Sequence, residues 1–479
     1  MNRARRAGLA AVAALVLTGC TSFADSATAP RPTPHAAPAA GSEAPPGTCP
    51  AQRARPDPHR PAVQLAFRLE DDLATVTGTE TVRFTPDRRV GEMVFRLVPN
   101  GPDSAPEGNR LVVDAVRGDE VAGGRYEAAA AADPGGLYVV ALDHALAAGK
   151  STEVALDFTL TLGAGDFDRF GRDDGVSWWA SGAPLLAWEP GVGWAEDPFV
   201  ALTGETATSP VMDTSVTVSA PADLTVLMTG TRAEPSAAED GRRTWTSREK
   251  VARDVGVAAG RFTTAQAATH DGVGVTVGVL PGAELPAADL ARQAVTAIDG
   301  IAAHVGPFPY RTLTVALLPD YGGGIEYPSM IFEASADPQV LVHEVAHMWF
   351  YGMVGNSQFR DPWLDEALAS WAEAVVDGDR GLVDRRALSI EGPVGGSMTD
   401  YTDDRSYFRL VYDKGGAALL AARDAAGPDA FDAAIRCYVD ANAWSIATPA
   451  DLGAALSRLP AALAPLVRAG ALDEADVPR

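Results

Sequence analysis

The polar and apolar positions of this chain fall into two regimes. From about residue 59 to about residue 271 they alternate. In VQLAFRL, Val63, Leu65 and Phe67 share one face while Gln64, Ala66 and Arg68 take the other. A period of two is what a half-buried strand requires. ATVTGTETVRF, EMVFRLVP, LYVVALD, TEVALDFTLTL, TSVTVSAP and LTVLMTG repeat the pattern, rich in β-branched residues and parted by Gly, Pro, Asp or Asn. The expectation for 59–271 is an all-β domain, an antiparallel sandwich or saddle-shaped pair of sheets. One stretch breaks the pattern. DRFGRDDGVSWWASGAPLLAWEPGVGWAEDPF, with Trp178, Trp179, Trp188 and Trp194, reads as a long aromatic loop that is either functional or docked on the next domain.

After GVGVTVGVLPG the period changes. ELPAADLARQAVTAIDGIAAHVG has helical spacing, TLTVALLPD is a strand, and helices dominate thereafter. Residues 272–479 are expected to form an α+β domain with a mostly helical C-terminal part.

Two of the helices carry chemistry. SADPQVLVHEVAHMWFYG offers Asp337 as N-cap, Pro338 at the first helical position and Gly352 as a stop. His343 and His347, two of the seven histidines, then lie on one face about one turn of 5.4 Å apart. Such a pair either converges on one ion or packs side by side in a buried helix. Glu344 is rotated off that face, out of position to ligate yet able to reach a water on the ion. That division of labour is the logic of the H-E-x-x-H motif. A catalytic zinc takes a third protein ligand, and the next helix, DPWLDEALASWAEAVVDG, offers Glu366 near its start. Trp363, Ala367, Leu368, Trp371 and Val375 form its apolar face, and Asp365 reads as a solvated neighbour.

Composition narrows the setting. The 479 residues are 47% hydrophobic and 21% charged, globular proportions in a chain too long for one ordinary core. A net charge of -24 argues against nucleic acid or anionic lipid surfaces as partners. At the N-terminus, Arg3, Arg5 and Arg6 precede GLAAVAALVLT, an apolar run too short to span a bilayer. LTGC follows, ending at Cys20. It resembles the lipobox of bacterial lipoproteins, which implies a signal peptide over 1–19, a lipid on Cys20 and an exported protein anchored to the outer face of the cell membrane. An ordinary secretion signal is the alternative. Residues 20–58, dominated by Pro, Ala, Ser and Thr, read as a disordered tether. Cys49 and Cys437 remain. Export permits a disulfide between them, and two unpaired thiols are the alternative.

HEVAHMWFYG followed by PWLDEALASW resembles the gluzincin zinc aminopeptidase family, which includes membrane alanyl aminopeptidase and leukotriene A hydrolase. The likeness is to a short form lacking the large C-terminal helical domain. FRLVPN, DPFVALTGETATSP and ARDVGVAAG are similar to further family segments in the same order. The resemblance implies a thermolysin-like domain with one zinc per chain held by His343, His347 and Glu366, and Glu344 as general base toward a metal-activated water. GGIEY is similar to the family's Gly-x-Met-Glu-Asn strand. It implies substrate-binding roles for Gly323, Gly324 and Glu326, the last gripping the free amine; Ile325 and Tyr327 stand where the family has Met and Asn. YDKGG is similar to a Tyr-x-Lys-Gly segment and implies Tyr412 as the catalytic tyrosine, with Tyr401 and Tyr407 as nearby competitors. Glu189, in AWEP, is a candidate second amine anchor. The function so implied is a zinc aminopeptidase acting on peptides with a free N-terminus. A zinc endopeptidase with an open cleft and a non-catalytic binding member are the alternatives.

Overall fold

The computed structural model describes residues 49, 52–164, 169–204, 207–319, 321–378 and 383–478. The expected signal segment and Cys20 lie outside the described residues, as does most of the expected tether. Ala62–Leu69 buries every second side chain and pairs antiparallel with Thr75–Phe84, Phe67 standing opposite Gly78. Its other edge pairs parallel with Met212–Pro221. The seven-stranded sheet built on these strands is therefore not purely antiparallel. Alternation reports which face of a strand is buried but says nothing of its partner's direction, and the long intervening chain supplies the crossover that a parallel pair needs.

Two four-stranded sheets and a two-stranded ribbon, Trp188–Glu189 with Gly193–Trp194, complete the β-rich region. One four-stranded sheet runs Leu185–Leu186, Val90–Arg96, Leu137–Leu146, Val121–Glu127, and the other Thr225–Met228, Gly256–Gly260, Val176–Ala180, Phe170–Asp173. The aromatic stretch is not the loop expected. Val176–Ala180 is a strand buried at every residue, and a strand buried on both faces loses its alternation. Trp179 meets Phe67 edge-on at 5.8 Å, and Trp188 meets Trp194 at 4.7 Å. These rings are packing.

A five-stranded mixed sheet follows, in the order Thr263–Ala268, Gly274–Val279, Thr312–Leu317, Met330–Glu333, Gly324–Tyr327. Its last strand is an edge. Helix α1 (Ala287–Val305) makes the crossover and buries Leu290, Ala294, Ile298 and Ile301. The helical part comprises α2 (Pro338–Ala346), α3 (Trp363–Val376), α4 (Asp404–Phe408), α5 (Gly415–Ala426), α6 (Pro428–Ala441) and two further helices, Pro449–Ala455 and Pro460–Ala469. Trp349, Trp363 and Trp371 are fully buried in the core these helices share with the sheet.

Buried polar contacts tie the β-rich region to the helical part, and a disulfide ties the N-terminal segment to it. Arg253 is buried and donates to the carbonyls of Tyr351, Ser209 and Ser445, each at 2.8 Å. At the N-terminal end, Cys49 is disulfide-bonded to Cys437 on α6, which decides between the two readings of these cysteines. Arg53 reinforces that attachment through Asp440 at 2.9 Å and the Pro307 carbonyl at 3.0 Å.

Candidate metal centre and cleft

Helix α2 begins as its sequence requires. Asp337 accepts a hydrogen bond from the Gln339 amide at 3.0 Å, and Pro338 occupies the first helical position. The regular helix stops at Ala346 instead of running on to Gly352: the amides of Met348 and Trp349 bond only three residues back, to Val345 and Ala346, and Tyr351 then takes φ 112°, which no α-helix accommodates. His347 is the capping residue and keeps helical angles, φ -62° and ψ -14°, so it still shares a face with His343. Glu366 sits in the first turn of α3.

Three ligand atoms converge. Nε2 of His343 and Nε2 of His347 are 3.2 Å apart, and each lies 3.3 Å from Oε2 of Glu366. Donor atoms about 2.0–2.1 Å from a tetrahedral ion stand about 3.3–3.4 Å from one another. The ring of His347 donates from Nδ1 to the Phe350 carbonyl at 3.0 Å, which leaves the Nε2 lone pair facing inward. Nδ1 of His343 lies 3.6 Å from Oε2 of Glu373. Lone pairs this close repel unless a cation sits among them. The electrostatics carry the same demand: burial opposes charge on His343, but Glu366 and Glu373 outweigh it and raise its pKa to about 10. Burial likewise opposes charge on His347, yet Glu326 and Glu366 raise it to about 10.

Glu373 is a residue that sequence reasoning missed. It stands seven positions after Glu366, two helical turns along the same face, and that spacing is the signal. Asp365, read as solvated, is buried. It accepts from Gln358 at 2.6 Å, from Asn356 at 3.2 Å and from the Glu366 amide at 3.0 Å. The correction has a local cause: both Asn356 and Gln358 come from the turn before α3, which folds over the helix start.

A cavity of about 710 Å³ opens beside the three ligands, and Gly323, Gly324, Glu326, Glu344 and Tyr412 line it. Glu344 is buried, and burial together with Glu326, Glu333 and Glu366 pushes its carboxyl well up, against the pull of His343. Gly324 presses on it: a Cβ there would stand 2.6 Å from Cγ of Glu344. Glu326, on the edge strand, is 5% exposed, and its Oε1 has no hydrogen-bond partner among the described residues. Among the described residues the charge partner of that oxygen is Nδ1 of His347 at 3.8 Å.

Tyr412 lies in a wide π-type turn, Arg409–Lys414, a distortion common at functional sites. Its ring stacks on His343 at 5.7 Å, and its hydroxyl bonds Glu366. Gly415 explains the glycine after Lys414, since a Cβ there would come within 2.6 Å of Cβ of Ala367. The competitors are placed elsewhere: the Tyr401 hydroxyl donates to the Val394 carbonyl at 2.8 Å, and Tyr407 is buried outside the cavity lining.

Residues 329–468 match the Peptidase family M1 domain. Aminopeptidase N of Lactobacillus helveticus is 28% identical over 230 residues, 40% of this chain and 27% of that protein. Endoplasmic reticulum aminopeptidase 1 of Homo sapiens is 26% identical over 219 residues, 38% of this chain and 23% of that protein. The M1 zinc metallopeptidase of Deinococcus radiodurans superposes with a TM-score of 0.64 at 19% identity, covering 88% of this chain and 96% of that one. A mutant of it has been solved with the substrate Tyr-Ser-Ala, TM-score 0.63 and 18% identity.

Residues 329–468 thus carry the likeness to peptidase family M1, on a fold shared with a two-domain M1 metallopeptidase.

The chain spans about a quarter of the length of the curated relatives it matches. The match to the M1 domain implies zinc, and the donor set of two imidazoles and a carboxylate at tetrahedral spacing fits that ion. One candidate site residue is not brought to the cleft. Glu189 is buried, but both its carboxylate oxygens accept from Arg360, and it does not line the cavity. Tyr327, where M1 relatives were expected to carry Asn, also turns away, packing on Phe332 at 5.3 Å and against Gly256.

Proposed function

We propose that this chain is a zinc-dependent aminopeptidase that cleaves the first peptide bond of peptides with a free N-terminus. The observation that carries the reading is Glu326: a buried carboxylate oxygen with no hydrogen-bond partner among the described residues, lining the cavity that holds the metal ligands. A buried carboxylate oxygen without a hydrogen-bond donor is costly, and a substrate ammonium supplies the donor this oxygen lacks. His343, His347 and Glu366 would hold the zinc. Zinc supplies, when bound, a Lewis acid for the carbonyl oxygen and a lowered pKa for water, from about 15.7 toward 7. Glu344 takes the proton from the attacking water and passes it to the departing amine nitrogen. Its raised pKa suits both halves of that exchange. Tyr412, kept neutral by burial and by Glu366, donates its hydroxyl hydrogen to the oxygen on which charge develops. The edge strand Gly324–Tyr327 offers its free side to the substrate backbone.

The test compares one peptide in free and N-acetylated form, with products read by mass. Release of the first residue from the free form, and a loss of about a hundredfold or more in kcat/KM on acetylation or in Glu326→Ala, are expected. Equal rates with cleavage at internal bonds would favour an endopeptidase instead.

We further propose that the protein is exported and held at the membrane by a lipid on Cys20. LTGC supports this, as does the Cys49–Cys437 disulfide, which suits an oxidising compartment. Mass analysis of the mature N-terminus tests it; an unacylated Cys20 sinks it.

A further inference from the structure

Four large apolar side chains are exposed among the described residues: Tyr321, Leu388, Phe408 and Val467. Two of the four, Phe408 at 39% and Tyr321 at 37% exposure, line the metal cavity. Leaving a phenyl ring in water forfeits the free energy of burying it, so rings exposed at the mouth of a cleft point to something that covers them. Their placement says what. Phe408 ends α4, four residues before Tyr412, and its ring lies 4.9 Å from that of Tyr412, tilted by 50°. Tyr412 in turn stacks on His343. Phe408, Tyr412 and His343 thus form a line of rings from solvent to the metal ligands. Tyr321 comes from a different element, the segment leading into Gly322–Gly324, and its hydroxyl donates to Asp173 at 2.9 Å, which fixes the attitude of its ring.

We propose that Phe408, together with Tyr321, receives the side chain of the substrate's first residue and gives the enzyme a preference for bulky apolar and aromatic N-terminal residues. This rests on the aminopeptidase reading above. The carbonyl under attack must lie within hydrogen-bond reach of the Tyr412 hydroxyl, and the ammonium must reach Glu326. Both groups belong to one residue, so its Cα is confined between them. The side chain that leaves that Cα then falls within a ring's width of Tyr412, where Phe408 stands. Asp103, Glu107 and Asp413 also line the cavity and define the competing outcome, a preference for a basic first residue.

The experiment uses the zinc-loaded full chain and a panel of aminoacyl-anilide substrates carrying Ala, Leu, Phe, Trp, Lys and Glu. Wild type is expected to cleave the Phe and Leu compounds about tenfold better in kcat/KM than the Ala compound. Phe408→Ala should cut the Phe-to-Ala ratio by about tenfold, chiefly through KM, while Phe408→Trp retains it. Zinc content should be the same in all three proteins. An unchanged ratio in Phe408→Ala, or a wild type that prefers Lys, overturns the assignment. Should Phe408→Ala fail to fold, Phe408→Leu, which keeps an apolar side chain but no ring, must lower the Trp-to-Leu ratio, and an unchanged ratio overturns the assignment equally. A wild type that releases no first residue from any compound, yet cuts longer peptides internally, overturns the aminopeptidase reading and this inference with it; one that releases every first residue at similar rates overturns this inference alone.

Discussion

Replacing Gly324 with alanine isolates the position of Glu344 from its chemistry. Gly324 does not have a positive φ, so its backbone accepts an L side chain. The obstacle is space: the added Cβ would lie 2.6 Å from Cγ of Glu344 and 2.8 Å from its Cδ and Oε1. Ordinary contact begins near 3.4 Å, so the carboxylate must retreat by about 0.8 Å, the difference between 3.4 and 2.6 Å. A reacting group displaced by about 1 Å loses on the order of a hundredfold in rate. Gly324→Ala is therefore expected to lower kcat by ten- to a hundredfold, with zinc still bound near one per chain. Gly323→Ala is the comparison, because a Cβ there meets nothing within 4 Å; its loss should be several-fold smaller. Steady-state kinetics on a free peptide, with zinc measured by mass spectrometry of the metal, decides the matter. A Gly324→Ala enzyme within twofold of wild type would refute the claim that Glu344 works from where it stands.

Three further outcomes follow from the same geometry. Glu344→Gln should keep zinc near one per chain and lose at least about a hundredfold in kcat, since the residue handles protons and does not ligate; metal loss would contradict that role. Glu373→Gln should weaken zinc binding by about ten- to a hundredfold in chelator competition, whereas unaltered affinity would reduce Glu373 to packing. Arg253→Ala strips donors from three carbonyls and should cost about 3 kcal/mol or more in urea unfolding, with no cost if water reaches those oxygens.

Much of the site is legible in the sequence because its parts lie within helices. The cap at Asp337 and Pro338 and the shared face of His343 and His347 follow from local helix geometry; Glu373 obeys the same period, but its role shows only once His343 stands beside it. The β-rich region is legible where strands bury one face. It fails at Val176–Ala180, whose burial on both faces erases the alternation, and at the parallel pairing of Ala62–Leu69 with Met212–Pro221.

Tertiary structure alone decides which distant segments meet. Glu189 and Glu326 are both acids in apolar surroundings, yet Arg360 neutralises one and the cleft receives the other. Asp365 and Glu366 are neighbours, and the turn bearing Asn356 and Gln358 buries the first while the histidines claim the second. Tyr401, Tyr407 and Tyr412 are alike in sequence, and only the last reaches His343. Covalent geometry holds residues of one helix at set distances whatever surrounds them. Contacts between segments hundreds of residues apart arise from the packing of the whole core, which no short stretch of the chain contains.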